Sequence, residues 1–405
     1  MSGEQGIVRS ISWRDLCPWL ILFRALRLAF HPGLIALATV GALATPIGWR
    51  LSESAFLSDT SLRNPEFREF VERQSRWQHL PRPRTAGTSR WLERLEGRIE
   101  ASIGSAAAPP LNQLTAPFRW FFSGQPLSLG QCLYLMAGTL WMLTVWGFVG
   151  GVLSRVAVVQ YGWDEQTGLF DAAKLVVRRA QGLLLAPLFP LGAIGLLTAP
   201  CLLLGWLMRF DIGVFVGGIL WLLVAVAGVL LALLVVGFAF GWPLMPVAVV
   251  AEEGGDQFEA FHRSYSYLFG RPLHFIFYVA LALFLGAIGA IFIDTFLDLA
   301  LRMSGWAVSW GTGAERWRTI SDAANGGEAA GSLWAGSRLI GFVDHLVGTI
   351  AIGFRYSFFW CATAAIYLLL RQQVDEAEFD ELYREEDEDT SFQDVVRQAE
   401  SGDTT

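Results

Sequence analysis

The longest uncharged stretch of this chain lies between Asp211 and Glu252 and is apolar throughout most of its length. A helix needs roughly 20 apolar residues to cross a hydrocarbon core of about 30 Å. At a rise of about 1.5 Å per residue, the stretch is longer than one perpendicular crossing requires. Two crossings would leave no polar connection between them. We therefore expect one long helix that is tilted, or broken near Gly241–Pro246, where two prolines remove backbone donors.

Other segments of the chain are also long and apolar enough to cross a membrane. With the first stretch they make six candidate spans, at residues 33–49, 131–159, 182–207, 213–250, 273–299 and 340–370. The composition agrees, since 17% of the residues are charged and the mean hydropathy is +0.43, whereas soluble domains have about 25% charged residues. The sequence predicts an all-α fold, a polytopic helical membrane protein with about six transmembrane helices.

Arginines in short loops predict the orientation, because long loops are translocated largely regardless of their charge. Basic residues are concentrated before the first span and after the second, whereas the short connection between the third and fourth spans carries only Arg209. With six spans, both termini are then cytoplasmic. The long segment 50–130 is also rich in arginine and would oppose this orientation if all loops counted equally.

Short amphipathic helices are expected beside the spans. Residues 12–31 carry apolar side chains at helical spacing with arginines away from that face, as in a helix that lies on an anionic leaflet. This pattern does not fit a cleavable signal peptide. After the fourth span, Asp256 can cap a second such helix, Glu259 occupies the capping-box position, and Gly270 can end the helix.

The second and fourth spans end in the same four residues, Val156–Val159 and Val247–Val250. Each string precedes an acidic break, an amphipathic segment and another span, and Phe170–Gly182 aligns without gaps on Phe258–Gly270. The shared order predicts that residues 131–300 are a duplicated unit of transmembrane and interfacial helices in parallel orientation. A chance match between short apolar strings is the alternative.

The remaining segments complete the predicted organisation. Outside the spans, the last 35 residues hold 13 acids against three arginines, and such a composition favours disorder. On the cytoplasmic side we expect an N-terminus with an interfacial helix at 1–32, before the first span (33–49), and an acidic disordered tail at 371–405, after the last span (340–370). On the other side we expect an extracytoplasmic helical loop at 50–130, with helices beginning near residues 64 and 91. A second extracytoplasmic loop, at 301–339, contains tryptophans and lies between the duplicated unit and the last span.

Ionisable residues inside spans are the candidate functional residues, because each costs about 2.5–3.5 kcal/mol to insert. They are Asp294 and Asp298 near the end of the fifth span and Asp344, His345 and Arg355 in the sixth. A proton or ion path is one interpretation. In the other, Asp344 and His345 lie where the chain enters the membrane, and Arg355 is satisfied by another helix or by snorkelling. Asp344 and Arg355 are about 16 Å apart along one helix, too far for a direct pair.

The motifs of common enzymes are missing from the sequence. It has no Walker A loop, no H-E-x-x-H and no G-x-S-x-G, and its four cysteines and five histidines are scattered. We therefore expect no enzyme activity, no metal site and no cofactor. Without a basic aromatic stripe, nucleic acid is not an expected partner either. The expected partners are the lipid bilayer and proteins that bind the 50–130 loop or the acidic tail.

A resemblance to known proteins rests on three stretches, "GWPLMPVAVVAEEGGDQFEAFHRSYSYLFGRP", "WGFVGGVLSRVAVVQ" and "IYLLLRQQVDEAEFDE". Over most of its length the chain resembles uncharacterised multi-pass inner-membrane proteins of bacteria. That resemblance implies the inner membrane and no assigned activity. Roughly over residues 131–300, the chain is also distantly similar to the membrane domain that accompanies some glycerophosphodiester phosphodiesterases. The catalytic barrel of that family is absent, so no active-site residue carries over.

These observations favour a non-enzymatic membrane scaffold or accessory component. A transporter or permease for a small solute or ion is the alternative, because of the internal duplication and the polar residues of the last span. An intramembrane enzyme ranks third.

Overall fold

The computed structural model describes residues 17–58, 62–75, 115–118, 120 and 127–383. Within these ranges the chain forms helices and no strand. After a 3₁₀ turn at Pro18–Leu20, the helices are α1 (Ile21–Ala29), α2 (Pro32–Phe56), α3 (Pro65–Ser75), α4 (Leu129–Gly162), α5 (Leu169–Arg178), α6 (Ala180–Leu207), α7 (Asp211–Gly241), α8 (Leu244–Ala251), α9 (Gln257–Gly270), α10 (Pro272–Thr312), α11 (Ala314–Ala324) and α12 (Gly331–Val374).

Six of these helices, α2, α4, α6, α7, α10 and α12, are long and apolar enough to cross a membrane. They coincide with the six predicted spans, which confirms the all-α polytopic fold. Their bounds differ most around the expected loop at 301–339. There α10 runs on to Thr312, α11 follows, and α12 already begins at Gly331. Trp306 and Trp310 do not interrupt the helix, which ends only where Gly313 adopts a positive φ of 78°.

The predicted break near Gly241–Pro246 is confirmed. Helix α7 ends at Gly241 and α8 begins at Leu244, with Trp242 and Pro243 between them. The break separates two different environments. Every residue of α8 is buried, whereas none of the residues in the most apolar part of α7 is buried. The chain thus turns from an exposed helix into the core at the prolines.

Helices α2 and α4 pack through two reciprocal contacts between tryptophan and glycine. The Trp49 ring lies over Gly138, and the Trp141 ring lies over Gly48. A Cβ atom at Gly138 would be 2.1 Å from the Trp49 ring, so only glycine allows this approach. Trp141 also donates its indole N–H to the Ala44 carbonyl at 3.0 Å. Small residues at such positions let two helix backbones approach closely inside a membrane.

Helix α1 lies within the segment predicted to form an interfacial helix, and it packs against other helices of the chain. Leu22, Ala25 and Ala29 are buried, and Leu26 and Phe30 pack partly buried against the same core, whereas Leu20 and Phe23 are exposed. The alanines allow close packing on α12, where the Ser357 hydroxyl donates to the Ala29 carbonyl at 3.1 Å. This helix is therefore part of the helical core. The first residues of the predicted segment, 12–16, lie outside the described range.

Side-chain caps begin two of the short helices, and the predicted cap at Asp256 is confirmed. The Asn64 side chain accepts from the Glu66 and Phe67 amides at the start of α3, and Asp256 accepts from the Glu259 amide at 2.7 Å at the start of α9. Glu259, expected at the capping-box position, instead forms an ion pair with Arg263 at 2.9 Å, one turn further along α9. The second helix expected in the 50–130 loop lies outside the described residues.

The two halves of the predicted duplication contain the expected elements. Helix α5 follows α4, and α9 follows α8, each after an acidic connection. The two Val-Ala-Val-Val strings lie in α4 and α8, and both are buried. A common origin of the two units stays a prediction.

Helices α6 and α7 form a hairpin whose most apolar parts are hardly covered by the rest of the described chain. Only 11% of the residues in the most apolar part of α6 are buried, and 0% in that of α7. Gly213 and Gly217 let the hairpin close tightly against Leu207 and Met208. We call this pair of helices the α6–α7 hairpin.

Candidate functional site: a buried polar cluster and an apolar cavity

The structure brings two of the five predicted candidate residues together. Arg355 of α12 and Asp294 of α10 form an ion pair, with Nη2 2.6 Å from Oδ2, and both side chains are largely buried. Asp298 pairs instead with Arg302, one turn further along α10, at 3.0 Å. Arg355 is thus satisfied by another helix, as one of the two interpretations expected.

Asp344 and His345 lie apart from that pair. Both are half-buried on α12, about 15 Å or more along the helix axis from Arg355. The Thr349 hydroxyl donates to the His345 carbonyl, a contact within one helix. Among the described residues, the five candidates therefore divide into the Asp294–Arg355 pair, the Asp298–Arg302 pair and the two half-buried residues of α12.

A larger polar cluster surrounds Glu252, the residue that follows α8. Its carboxylate is buried and has three partners, which come from two other helices. Oε1 accepts from the Tyr367 hydroxyl at 2.6 Å and lies 3.0 Å from Arg371 Nε, and Oε2 lies 3.4 Å from Arg263 Nη2. Sequence reasoning assigned Glu252 to an acidic loop and missed this role. The apolar neighbours Val250 and Ala251, buried with it, are the signal that could have found it.

The cluster extends through α9 to the residue after α12. Arg263 also forms an ion pair with Asp375 at 2.7 Å, and the Tyr267 hydroxyl donates to the same carboxylate. Burial and this hydrogen bond raise the pKa of Tyr267. Burial lowers the pKa of Arg263, but its hydrogen bond with Tyr267 and the nearby acidic groups outweigh burial and raise it. We call Glu252, Arg263, Tyr267, Tyr367, Arg371 and Asp375 the Glu252 cluster.

Two arginines cap the C-terminal end of α8. Arg155 of α4 donates to the Val250 carbonyl at 3.0 Å. Arg179, which follows α5, donates to the Val249 carbonyl at 2.6 Å, to the Glu253 carbonyl at 2.9 Å and to the Glu252 carbonyl. The last carbonyls of a helix have no partner within the helix and carry partial negative charge, so two guanidinium groups stabilise this buried end.

Residues 375–383 fold back onto the same end of the molecule, and we call them the C-terminal strap. The Tyr383 amide donates to the Ala251 carbonyl at 3.0 Å, and Arg155 Nη2 donates to the Tyr383 carbonyl at 2.9 Å. The Arg179 guanidinium lies 4.1 Å from the centre of the Tyr383 ring. Trp163 donates to the Asp380 carbonyl at 2.8 Å.

The strap corrects the boundary expected for the acidic tail. Helix α12 continues to Val374, four residues past the expected end of the last span, and 375–383 contact the helices. The prediction of a disordered tail from residue 371 rests on its net negative charge. In the structure, the buried side chains of Leu382 and Tyr383 hold residues 375–383 against the helices. The residues from 384 onwards lie outside the described range.

The ionisable groups of the Glu252 cluster neutralise one another. Each of its acids lies against an arginine, and a buried network of this kind needs every partner in place. Over the described ranges, no group of three or more His, Cys, Asp or Glu side chains is arranged to hold a metal ion. Chemically, the cluster joins α8, α9, α12 and the C-terminal strap.

An apolar cavity of about 650 Å³ lies between the α6–α7 hairpin and helices α10 and α12. Its volume is within the usual range of ligand sites, roughly 300–1,000 Å³. Representative wall residues come from five helices: Leu191, Phe238, Leu244, Phe275, Ala282 and Ile366. Thr363 also lines the cavity, but its hydroxyl donates to the Phe359 carbonyl of its own helix.

Comparisons with protein-family models, curated proteins and solved structures find no match for this chain.

Proposed function

We propose that this protein is a non-enzymatic scaffold or accessory component of the bacterial inner membrane that contacts lipid and partner proteins. The exposed α6–α7 hairpin is the observation that carries the proposal. Two of the six apolar helices form it, and they leave most of their surface uncovered by the rest of the chain. Such a surface suits contacts within the plane of a bilayer, where lipid or another transmembrane helix can cover it.

The polar groups support a structural role. The Asp294–Arg355 pair and the Glu252 cluster neutralise their charges inside the fold. Paired charges of this kind fix the arrangement of helices and leave fewer groups free to bind a solute. The resemblance to the membrane domain of glycerophosphodiester phosphodiesterases stays a prediction and contributes no site.

Both termini are proposed to be cytoplasmic, with the Glu252 cluster at that surface. Basic residues support this orientation, since Lys174, Arg178 and Arg179 lie between the second and third spans near the cluster. Reporter fusions at Glu253 and at the C-terminus should report the same side of the membrane. Opposite sides would overturn the orientation.

Crosslinking in native membranes tests the scaffold role. A photoreactive amino acid at Leu222, exposed on the hairpin, should capture a defined protein partner. The same amino acid at Leu135, which is buried, is the matched control and should capture none. If several exposed hairpin positions formed adducts with lipid alone, the result would support contact with lipid and contradict a scaffold for partner proteins.

Transport is the second candidate. Arg355, which forms an ion pair with Asp294 of α10, lies on α12 together with the half-buried residues Asp344 and His345. Proteoliposomes with a pH-sensitive dye inside test it. A proton flux that His345→Ala abolishes in a folded variant would favour transport over the scaffold. Equal leakage with and without the protein would count against proton transport.

A further inference from the structure

We propose that the apolar cavity holds one acyl chain of an anionic phospholipid, whose headgroup lies beside Arg271 and His274. The inference deepens the lipid contact of the proposed function and rests on the chain lying in a membrane. It concerns a defined binding site, in contrast to the general lipid exposure of the hairpin.

The dimensions of the cavity fit a single leaflet. Along α10, its wall extends from Phe275 to Gly286, which is about 16 Å at the rise of a helix. Half of a hydrocarbon core of about 30 Å has the same depth. A site of this depth holds one chain of a lipid whose headgroup stays at one surface.

The walls favour a hydrocarbon occupant. Apart from Thr115 and Thr363, the side chains that line the cavity are apolar, and the Thr363 hydroxyl donates to the Phe359 carbonyl of its own helix. A polar solute would lose its hydrogen bonds to water there without replacing them. Four of the six membrane-length helices contribute to the walls. In a membrane, the hydrocarbon that surrounds these helices is the acyl chains of lipids.

Two basic side chains indicate the headgroup. Arg271 and His274 are exposed and lie within one helical turn of Phe275, at the end of the cavity where α9 meets α10. The Phe275 amide donates to the Arg271 carbonyl at 3.1 Å, so the basic residues and the cavity wall belong to one continuous turn. Positive charge at this end is complementary to a phosphate ester with net negative charge.

Photolabelling of the full chain in liposomes tests the site. The probes are phosphatidylglycerol and phosphatidylcholine, each with a diazirine in the acyl chain. The phosphatidylglycerol probe should label peptides that contain Phe238, Ala282 and Ile366 more strongly than peptides from the exposed part of α7. Uniform labelling along the hairpin would show general lipid contact and overturn the inference.

Filling the cavity provides the matched comparison. Ala239 lines the cavity and is half-buried, so Ala239→Phe should remove most of the cavity labelling. Ala225→Phe changes the same helix at an exposed position and should leave the labelling unchanged. Ala239→Leu serves if the larger side chain prevents folding. Cavity labelling that persists in a folded Ala239 variant would contradict the inference.

The headgroup is tested separately. Arg271→Gln should lower the preference for phosphatidylglycerol over phosphatidylcholine about fivefold, the effect of one basic residue at an anionic surface. Arg209→Gln, in the connection between α6 and α7, is the control. An unchanged preference would overturn the proposed headgroup contact. Loss of the protein partner in the crosslinking experiment would leave these lipid results intact, so the two proposals fail independently.

Discussion

The Tyr367 hydroxyl donates to the Glu252 carboxylate at 2.6 Å and joins the end of α8 to α12 across 115 residues of sequence. Arg371, one turn beyond Tyr367, lies 3.0 Å from the same carboxylate oxygen. The two helix ends therefore share one buried negative charge. A variant without this charge therefore measures how much the Glu252 cluster contributes to the free energy of unfolding.

Glu252→Ala should lower the free energy of unfolding by about 3–5 kcal/mol, because it leaves Arg371 buried without its carboxylate. Thermal unfolding of the purified protein in detergent measures the change. Glu253→Ala removes an exposed carboxylate of the same loop and should have little effect. Equal stability of the two variants would contradict a structural role for the cluster.

The raised pKa of Tyr267 predicts a loss of stability at high pH. Its pKa is about 10 in an unfolded chain, whereas burial and its hydrogen bond to Asp375 raise it in the fold. The folded state thus binds the phenol proton more tightly. This stabilisation is fully present below about pH 10 and declines as the pH rises above that value.

Tyr267→Phe removes the titrating hydroxyl and tests that sign. The stability advantage of the natural protein over the variant should shrink between about pH 8 and about pH 11. Unfolding temperatures of both proteins at the two pH values measure it. An advantage that grows with pH would show that the tyrosine is not held in its neutral form.

Gly138→Ala should destabilise the fold by about 1–3 kcal/mol, because the added Cβ would be 2.1 Å from the Trp49 ring. Gly195→Ala is the matched control in another membrane-length helix, since its Cβ would meet nothing within 4 Å. The control should be neutral or slightly stabilising. Chemical unfolding in mixed micelles compares the two. A neutral Gly138→Ala would show that α2 and α4 can separate at little cost.

The sequence predicts those parts of the fold that depend on local pattern. Run length identifies the six spans, the prolines after Gly241 predict the break, and Asp256 predicts the start of α9. These features depend on neighbouring residues and on the thickness of a bilayer. They do not require knowledge of which helices meet.

The candidate site depends on contacts between distant segments and was predicted only in part. The Asp294–Arg355 pair fits the expectation that another helix satisfies Arg355. The contact between Glu252 and Arg371 joins segments more than a hundred residues apart. The apolar residues before Glu252 indicate that it is buried, but no local pattern indicates which residue it contacts. The close packing of Ala25 and Ala29 in α1 likewise depends on contacts with other helices, which the spacing of large apolar side chains alone does not indicate.

Tyr383→Ala should loosen the C-terminal strap, because it removes the ring that lies 4.1 Å from the Arg179 guanidinium. A contact of this kind contributes about 0.5–2 kcal/mol. Limited proteolysis after Val374 should become faster in this variant. Tyr383→Phe keeps the ring and should resist cleavage like the natural protein. Equal cleavage of all three proteins would show that the other contacts of the strap hold it without the Tyr383 ring.

Asp294→Asn should destabilise the fold far more than Asp298→Asn. Asp294 neutralises Arg355 on another helix, with both side chains largely buried, and removal of one partner from a buried pair costs about 3–5 kcal/mol as an upper value. Asp298 pairs with Arg302 within one helix, where such pairs contribute about 0.3–0.5 kcal/mol.

The double variant Asp294→Leu with Arg355→Met should regain most of the lost stability, since it leaves neither charge unpaired. Unfolding temperatures of the four proteins provide the comparison. A stable Asp294→Asn protein with an altered ion flux in proteoliposomes would instead make the pair part of a transport path and would contradict the scaffold proposal.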